Sequence, residues 1–132
     1  MDKRPWEFVV VTKQELKDAI ATNLPNARMA AEAPLVVVVC GDKRRFIEDA
    51  EEYWVQDCSA VTENMLLAAH ALGLGGVRCG IHPIVDREKT LDDILNLPED
   101  LYPLNVVCFG IPASQQEPKN KWDATRIHYN KF

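Results

Sequence analysis

The chain has 132 residues, the length of a single domain, and 47% of them are hydrophobic, which is too apolar for a disordered segment. Its formal net charge of −5 disfavours a nucleic-acid-binding module, since such domains are usually basic. The longest apolar run, residues 33–40, is far shorter than the roughly 20 residues that span a bilayer, and no charged-then-apolar signal peptide opens the chain. We therefore expect one cytoplasmic domain, 1–132, that binds neither nucleic acid nor a membrane.

The first half of the chain predicts two strands with helical segments between them. Residues Trp6–Thr12 are β-branched and aromatic, which indicates a strand. Thr12 and Glu15 have the spacing of a capping box, so Thr12 is expected to cap the helix that follows. A short helical segment is predicted over 27–33. The continuous apolar run Leu35–Cys40 then predicts a central strand that is covered on both faces.

The second half begins with the strongest helix signal. Residues Tyr53–Leu74 keep a 3.6-residue apolar period and are rich in alanine, which predicts a long, mostly buried central helix. The glycines of 73–76 predict a helix C-cap followed by a strand over Val77–Ile81, because a dinucleotide loop would need a strand before it. A helix over Asp86–Leu95, capped by Asp86, and a last strand over Leu104–Phe109 follow. We expect an α+β layered domain around one sheet.

The ionisable and nucleophilic residues indicate neither a metal site nor a protein nucleophile. The four cysteines are far apart and lie in apolar stretches, which is typical of free, buried thiols. The histidines form no metal-binding pair, and no serine lies in a nucleophile elbow. A hydrolase acting through Cys58 or Ser59 is the alternative, and the predicted mid-helix packing of both side chains disfavours it. A core of this kind favours a reaction carried by a cofactor.

Charge is unevenly distributed along the chain. The run 42–52 is densely charged and predicts a solvated loop or helix face. The segment 119–132 is basic in an otherwise acidic protein, since it holds four cations against the single carboxylate of Asp123. Cations gathered on one segment can bind phosphate, and a solvated basic tail is the alternative interpretation.

Six segments, in order along essentially the whole chain, form one pattern. They are residues 4–12, 33–40, 57–75, 79–83, 97–99 and 118–122. The long helix motif that runs from Asp57-Cys58-Ser59 to Gly73-Leu74-Gly75, together with Cys79-Gly80-Ile81-His82-Pro83 after it, is the most specific part. This pattern resembles the nitroreductase family of FMN-dependent oxidoreductases.

The resemblance implies a nitroreductase-like sandwich and a homodimer with FMN at the subunit interface. It further implies electron transfer from NAD(P)H through the flavin to a nitroaromatic, a quinone or a similar acceptor, so no side chain is expected to be catalytic. Backbone groups of Gly80 and Ile81 would face the pyrimidine edge and N5 of the flavin, with His82 beside that edge. Lys119 and Lys121 would hold the FMN phosphate.

The sequence departs from the family pattern at its beginning. Asp2 stands where the family has an amide that bonds the flavin ring, and Arg4 stands where it has a glutamine, so both are expected at the cofactor. An ionised Asp2 accepts but does not donate a hydrogen bond. An arginine-rich N-terminal segment of the family has no counterpart, so we expect a chain that is truncated relative to the family. The alternative function is a catalytically silent member that serves as a dimerisation or small-ligand-binding module.

Overall fold

One antiparallel sheet of four strands organises the chain. The computed structural model describes residues 2–114 and 117–132. The elements are β1 (Trp6–Val11), α1 (Gln14–Asn23), β2 (Leu35–Asp42), α2 (Tyr53–Ala71), β3 (Gly75–Gly80), α3 (Val85–Leu95) and β4 (Leu101–Gly110), with short 3-10 turns at Arg28–Ala31, Lys43–Arg45 and Ala124–Arg126. The strand order is β1-β2-β4-β3. The predicted α+β class is confirmed, and so are the four strands and the long helix.

The helices cover the two faces of the sheet. Along β2, Val36 and Val38 pack with α1 and α3, whereas Val37 and Val39 pack with α2. This alternation arises because successive side chains of a strand point to opposite faces. The prediction that residues Leu35–Cys40 form a central strand covered on both faces is therefore confirmed.

A β-bulge in β4 shapes one end of the sheet. Val39 of β2 pairs with Asn105, whereas the next residue pairs with Pro103, so Leu104 is the extra residue. Proline lacks an N–H, and a bulge is a position where a central strand tolerates it. The Leu104 carbonyl accepts the N–H groups of both Ile81 and His82 at 3.1 Å, which ties the end of β3 to the bulge.

The two predicted N-caps are wrong. Lys13, and not Thr12, is the residue that precedes α1, and no side chain caps that helix. The backbone carbonyl of Lys13 accepts the N–H groups of Leu16 and Lys17. Ile84 precedes α3, again without a side-chain cap, and Asp86 lies inside the first turn. There the carboxylate favours the helix by its charge near the positive end of the dipole rather than by capping.

The predicted glycine C-cap of the long helix is confirmed. Gly73 has φ +77°, a conformation that glycine adopts without strain. Its N–H donates to the His70 carbonyl at 3.0 Å, and the N–H of Leu74 donates to the Ala69 carbonyl at 2.8 Å. This pair of bonds is a Schellman motif, which ends α2 and turns the chain into β3.

Helix α2 buries only one stripe in the single chain. Four of its 19 residues are buried: Trp54, Cys58, Thr62 and Ala69. The expected burial around most of the helix is thus not met within one chain, because only the sheet covers it. Leu67, on the outer surface, is 59% exposed.

The charged run after β2 contains one buried carboxylate. Asp42 is 1% exposed, so the prediction that the whole run is solvated is wrong at this residue. The Arg44 guanidinium donates to it from Nε at 2.7 Å and from Nη2 at 3.0 Å, and Arg45 Nε lies 3.4 Å away. The hydrogen bond from Arg44 is the main reason that the pKa of Asp42 lies below its ordinary value.

We expect Asp42→Asn to destabilise the fold by about 2 kcal/mol at neutral pH, because a charge-assisted hydrogen bond is lost. The folded-state pKa is depressed, so the contribution of Asp42 is present above a pH of about 4 and is lost as the pH falls through the folded pKa. Urea unfolding at several pH values should show the gap between variant and wild type closing in acid. Asp100→Asn is the control, since Asp100 is half exposed and 4.0 Å from Arg44. Equal losses in both variants would contradict the assignment.

Candidate functional site

Four chain segments meet at one end of the sheet. Because neighbouring strands are antiparallel, the start of β1, the end of β2, the start of β4 and the end of β3 share this end. An aromatic cluster lies over it on the α2 side, and we call it the aromatic end. The cluster consists of Phe46, Trp54, His82 and Tyr102. The opposite end, where residues 111–118 leave β4, is called the tail end.

Trp54 is the centre of the aromatic cluster. Its ring stacks on Phe46 with centroids 5.6 Å apart, and it meets the His82 ring edge-on at 4.9 Å. A Cβ on Gly41 would overlap the indole, so glycine is needed for Trp54 to lie flat on the sheet. The cluster is thereby held rigidly against the ends of β2 and β4.

Gly80 presents backbone and open space beside this cluster. It pairs in register with Asn105, whose side chain points toward α2, so Gly80 faces the same side. Gly80 is exposed, and a Cβ there would meet no atom within 4 Å. Since Ile81 donates its N–H to Leu104 of β4, the alternation of an antiparallel pair turns the N–H and C=O of Gly80 away from β4. The carbonyl accepts Arg87 Nη1 at 2.9 Å, which leaves the N–H as the outward donor.

Ile81 is placed differently from Gly80. It is 1% exposed, its N–H is taken by the Leu104 carbonyl, and its own carbonyl accepts the N–H of Ile84 at 2.9 Å. The geometry therefore favours Gly80 over Ile81 as a backbone donor to a ligand. The role of both residues toward a cofactor stays a prediction.

Asp2 and Arg4 lie at the aromatic end but on the opposite edge of the sheet from Gly80. Three interstrand spacings, roughly 14 Å, separate β1 from β3. Arg4 donates to Asp2 from Nε at 2.8 Å, and its Nη2 lies 2.7 Å from the same carboxylate. This hydrogen bond lowers the pKa of Asp2. The two predicted residues thus pair with each other on the exposed surface.

The chain reaches Lys119 and Lys121 from the tail end. The residues directly before Lys119, Glu117 and Pro118, line a cavity of about 1140 Å³ at the tail end, together with Gly75 at the start of β3. From Gly75 to Gly80 the strand spans roughly 17 Å. Within the described residues neither ammonium lies within 4 Å of a carboxylate, so both are available to an anion.

Sequence reasoning missed Asn105, a buried amide beneath the open space. Asn105 Nδ2 donates to Thr62 Oγ1 at 2.9 Å, and Thr62 Oγ1 donates to the Cys58 carbonyl at 2.8 Å. Asn105 is 1% exposed, and its Oδ1 finds no partner among the described residues. The signal was a polar residue inside the apolar run of β4. The amide is directly opposite Gly80 and couples α2 to that strand pair.

Sequence reasoning also missed the two α3 side chains that hold this corner. Glu88 Oε1 lies 2.6 Å from His82 Nδ1, and Arg87 bonds the Gly80 carbonyl. No local spacing marks these contacts, because they depend on how α3 docks against the end of β3.

Comparison with known proteins identifies the chain. The pattern of the Nitroreductase family matches residues 21–111. A Methanothermobacter thermautotrophicus protein named "Putative NADH dehydrogenase/NAD(P)H nitroreductase" is 38% identical over 132 residues, which are all of this chain and 68% of that protein. The chain belongs to the nitroreductase family.

Solved structures of nitroreductase relatives have the same fold. A Bacteroides thetaiotaomicron protein, also named "Putative NADH dehydrogenase/NAD(P)H nitroreductase", superposes with a TM-score of 0.92 at 44% identity, over 99% of this chain and 75% of its own. The NADPH:FMN oxidoreductase of Vibrio harveyi, complexed with NAD+, gives 0.85 at 26% identity, over 99% and 61%. With these relatives, the protein is an oxidoreductase of the nitroreductase family.

The thiols of this nitroreductase-family chain are free and buried, as the sequence predicts. Burial raises the pKa of both Cys40 and Cys58 to about 12. A thiol of that kind is not a nucleophile at neutral pH, so the hydrolase alternative through Cys58 has no support. Among the described residues no group of three or more potential ligands could hold a metal ion, and no helix is long and apolar enough to cross a membrane.

The aromatic end has the features that a flat ring requires. The open space over Gly80 is a cradle that a larger side chain would fill, and the outward N–H supplies a donor at the ring's edge. The residues present therefore fit a flavin ring at Gly80.

Proposed function

We propose that the protein is an FMN-dependent oxidoreductase that takes electrons from NAD(P)H and passes them to a small quinone, nitroaromatic or similar acceptor. The observation that carries this proposal is the exposed Gly80, with open space on its α2 side and its N–H turned outward. The likeness to the Vibrio harveyi NADPH:FMN oxidoreductase, which was solved with NAD+, supports both the flavin and the nicotinamide. FMN accepts and delivers the hydride when it is bound.

The side chains of the chain would bind and orient the ring rather than react. Gly80 lets the backbone approach a planar ring closely, and its N–H donates to the ring. Arg87 fixes the peptide by holding the Gly80 carbonyl at 2.9 Å. Trp54, which stacks on Phe46 with ring centroids 5.6 Å apart, would form one wall of the site. Asp2 and Arg4, paired with each other, would meet the far side of the ring only if their ion pair opens.

Gly80→Leu should abolish this site without unfolding the protein. The leucine enters open space, so we expect an unchanged thermal midpoint but FMN affinity at least tenfold weaker, because the ring and the side chain cannot both fit. Wild type, incubated with FMN and desalted, should retain a flavin absorbance spectrum that NADH or NADPH bleaches. Val77→Leu adds bulk at an exposed position of the same strand and serves as the control. A Gly80→Leu protein that binds FMN like wild type would contradict the site, and a wild type that binds none would favour the silent-member alternative.

Lys119 and Lys121 would hold the FMN phosphate. Each is an unpaired, exposed ammonium in the described structure, which suits a dianion. In a single chain the residues directly before Lys119 lie at the tail end, about 17 Å along β3 from Gly80. We therefore infer that the tail of one copy serves the aromatic end of the other, which places the cofactor at a subunit interface.

Variants of the two lysines should distinguish binding of the FMN phosphate from binding of the flavin ring. Lys119→Ala and Lys121→Ala should each weaken FMN binding tenfold or more, since a charge-assisted hydrogen bond contributes about 1.5 kcal/mol or more. Riboflavin, which lacks the phosphate, should bind all variants equally. Lys131→Ala, in the same tail, is the control. Titration by flavin fluorescence measures both ligands, and an equal loss for riboflavin would contradict a phosphate role.

Mixing two defective chains tests which copy supplies the lysines. The mixed dimer has one Gly80→Leu chain and one Lys119→Ala/Lys121→Ala chain. If each site combines Gly80 of one chain with the lysines of the other, one of the two sites is intact, so half of the FMN binding returns. If Gly80 and the lysines of one chain formed each site, the mixed dimer would bind no FMN.

The outer face of α2 supports a homodimer. The helix has only two charged residues, Asp57 and Glu63, and its outward side carries Leu67 and several alanines. The tail exposes Trp122 at 73%. The exposed face also carries Glu63, Asn64 and His70, so the apolar part is a patch around Leu67, and exposed apolar groups of this kind favour an interface.

Leu67→Glu should turn the dimer into a monomer, because a carboxylate would be buried unpaired in the interface. Val85→Glu is the matched control, since Val85 is 56% exposed on α3, which packs against the other face of the sheet. Light scattering on a sizing column gives the mass of each. FMN should be lost along with dimerisation. A monomeric wild type, or a Leu67→Glu protein that stays dimeric, would contradict this interface.

A further inference from the structure

We propose that His82, positioned by Glu88, donates the proton that a quinone acceptor takes up when the cofactor delivers its hydride. The inference rests on the proposed function and assigns chain residues to a step that the flavin alone does not complete. A quinone gains two electrons and two protons when it becomes a hydroquinone, and the hydride supplies only one of those protons.

The contact between His82 and Glu88 sets the chemistry of the ring. Nδ1 lies 2.6 Å from Glu88 Oε1, and the side chains are 27% and 20% exposed. A carboxylate only accepts hydrogen bonds, so Nδ1 carries the proton that is donated to it. Nε2 is then the nitrogen left to exchange protons with a ligand or with solvent. The ring can give a proton away from Nε2 only when that nitrogen carries one as well.

The place of His82 is fixed from three directions. The Leu104 carbonyl holds its N–H at 3.1 Å, Trp54 of α2 packs against its ring at 4.9 Å, and Glu88 of α3 holds Nδ1. Contact with Trp54 puts the imidazole on the α2 side, the same side as the open space over Gly80. Two residues of extended chain, roughly 7 Å, separate His82 from Gly80.

The other charged groups nearby do not compete for this role. Arg87 is engaged with the Gly80 carbonyl and carries no transferable proton at neutral pH. Asp92 lies on the same helix as Glu88, and burial, with repulsion from Glu88 and Asp93, raises its pKa. Tyr102 belongs to the aromatic cluster through Trp54 and Phe46. Among these groups, His82 has both a hydrogen-bonding partner, Glu88, and a partly exposed ring.

Electrons and protons balance in this step. The hydride adds two electrons and one proton to the quinone, and one quinone oxygen takes the second proton from Nε2. The Nε2–H bond breaks, an O–H bond forms, and the imidazolium becomes neutral imidazole. Solvent returns a proton to Nε2 through the exposed part of the ring.

Two acceptors separate proton donation from a merely structural role. FMN-loaded protein that has been reduced by NADH or NADPH is mixed in stopped flow with one of two acceptors. Reduction of 1,4-benzoquinone requires protons, whereas ferricyanide takes up single electrons and no protons. His82→Gln should slow the quinone reaction by about 100-fold, within the usual contribution of a positioned acid, and leave ferricyanide within about twofold of wild type. Glu88→Gln should cause a smaller, quinone-specific loss of about tenfold, as a positioning residue would. His128→Gln, in the exposed tail, is the control.

Nitrogen NMR of the histidine rings supplies a readout independent of turnover. In the protein without added flavin, Nδ1 of His82 should carry a proton whether or not Nε2 carries one as well, and Glu88→Gln should erase that preference; His82→Gln assigns the signal. Equal slowing of both acceptors, an unchanged quinone rate, or a protonated Nε2 with free Nδ1 would each overturn the inference. A protein that binds FMN and is reduced normally, yet shows no quinone-specific defect, overturns this inference alone. A protein that binds no FMN overturns the proposed function with it.

Discussion

The Leu104 carbonyl is the contact on which the geometry of the aromatic end depends. It accepts two N–H groups, those of Ile81 and His82, because the bulge in β4 adds one residue at this point. The bond from Ile81 fixes which residues of β3 direct their N–H groups toward β4. The N–H of Gly80, the residue before, therefore points away from β4. The other bond begins the turn that carries His82 back over the α2 face. A single irregularity in the central sheet thus positions both the outward donor and the imidazole.

Hydrogen bonds explain why a polar side chain next to the bulge is tolerated beside an apolar core. Asn105 follows the extra residue, and its amide is oriented by Thr62, whose hydroxyl is itself committed to the Cys58 carbonyl. Buried polar groups are stable when they are bonded, and an unpartnered one costs free energy. Among the described residues, Asn105 Oδ1 is left without a partner directly opposite Gly80.

Patterns that depend on local chemistry could be predicted from the sequence. The apolar run of β2 predicts its structure because a strand covered on both faces requires apolar residues throughout. The glycine after α2 predicts the helix end because a left-handed C-cap favours glycine. The N-caps failed at Thr12 and Asp86 because a cap needs a particular backbone angle at the residue before the helix, which composition does not specify. Gly80 could be singled out only through family resemblance, and the structure adds its open side. The His82–Glu88 contact could not be predicted, because the turn between the two residues and the docking of α3 decide it.

If the tail of one copy serves the aromatic end of the other, as we propose, flavin binding and assembly are thermodynamically linked. A cofactor that bridges two copies binds the dimer and not the separated chains, so each equilibrium draws on the other. Ligand present at 100 times its dissociation constant adds about 2.7 kcal/mol to the assembled state. The exposed outer face of α2 and the exposed Trp122 would then not need to hold two copies together alone. Dimerisation and flavin binding would rise and fall as one transition. Such coupling would let a helix with one buried stripe serve as the centre of a larger core, because the second copy and the cofactor together would cover what a single chain leaves bare.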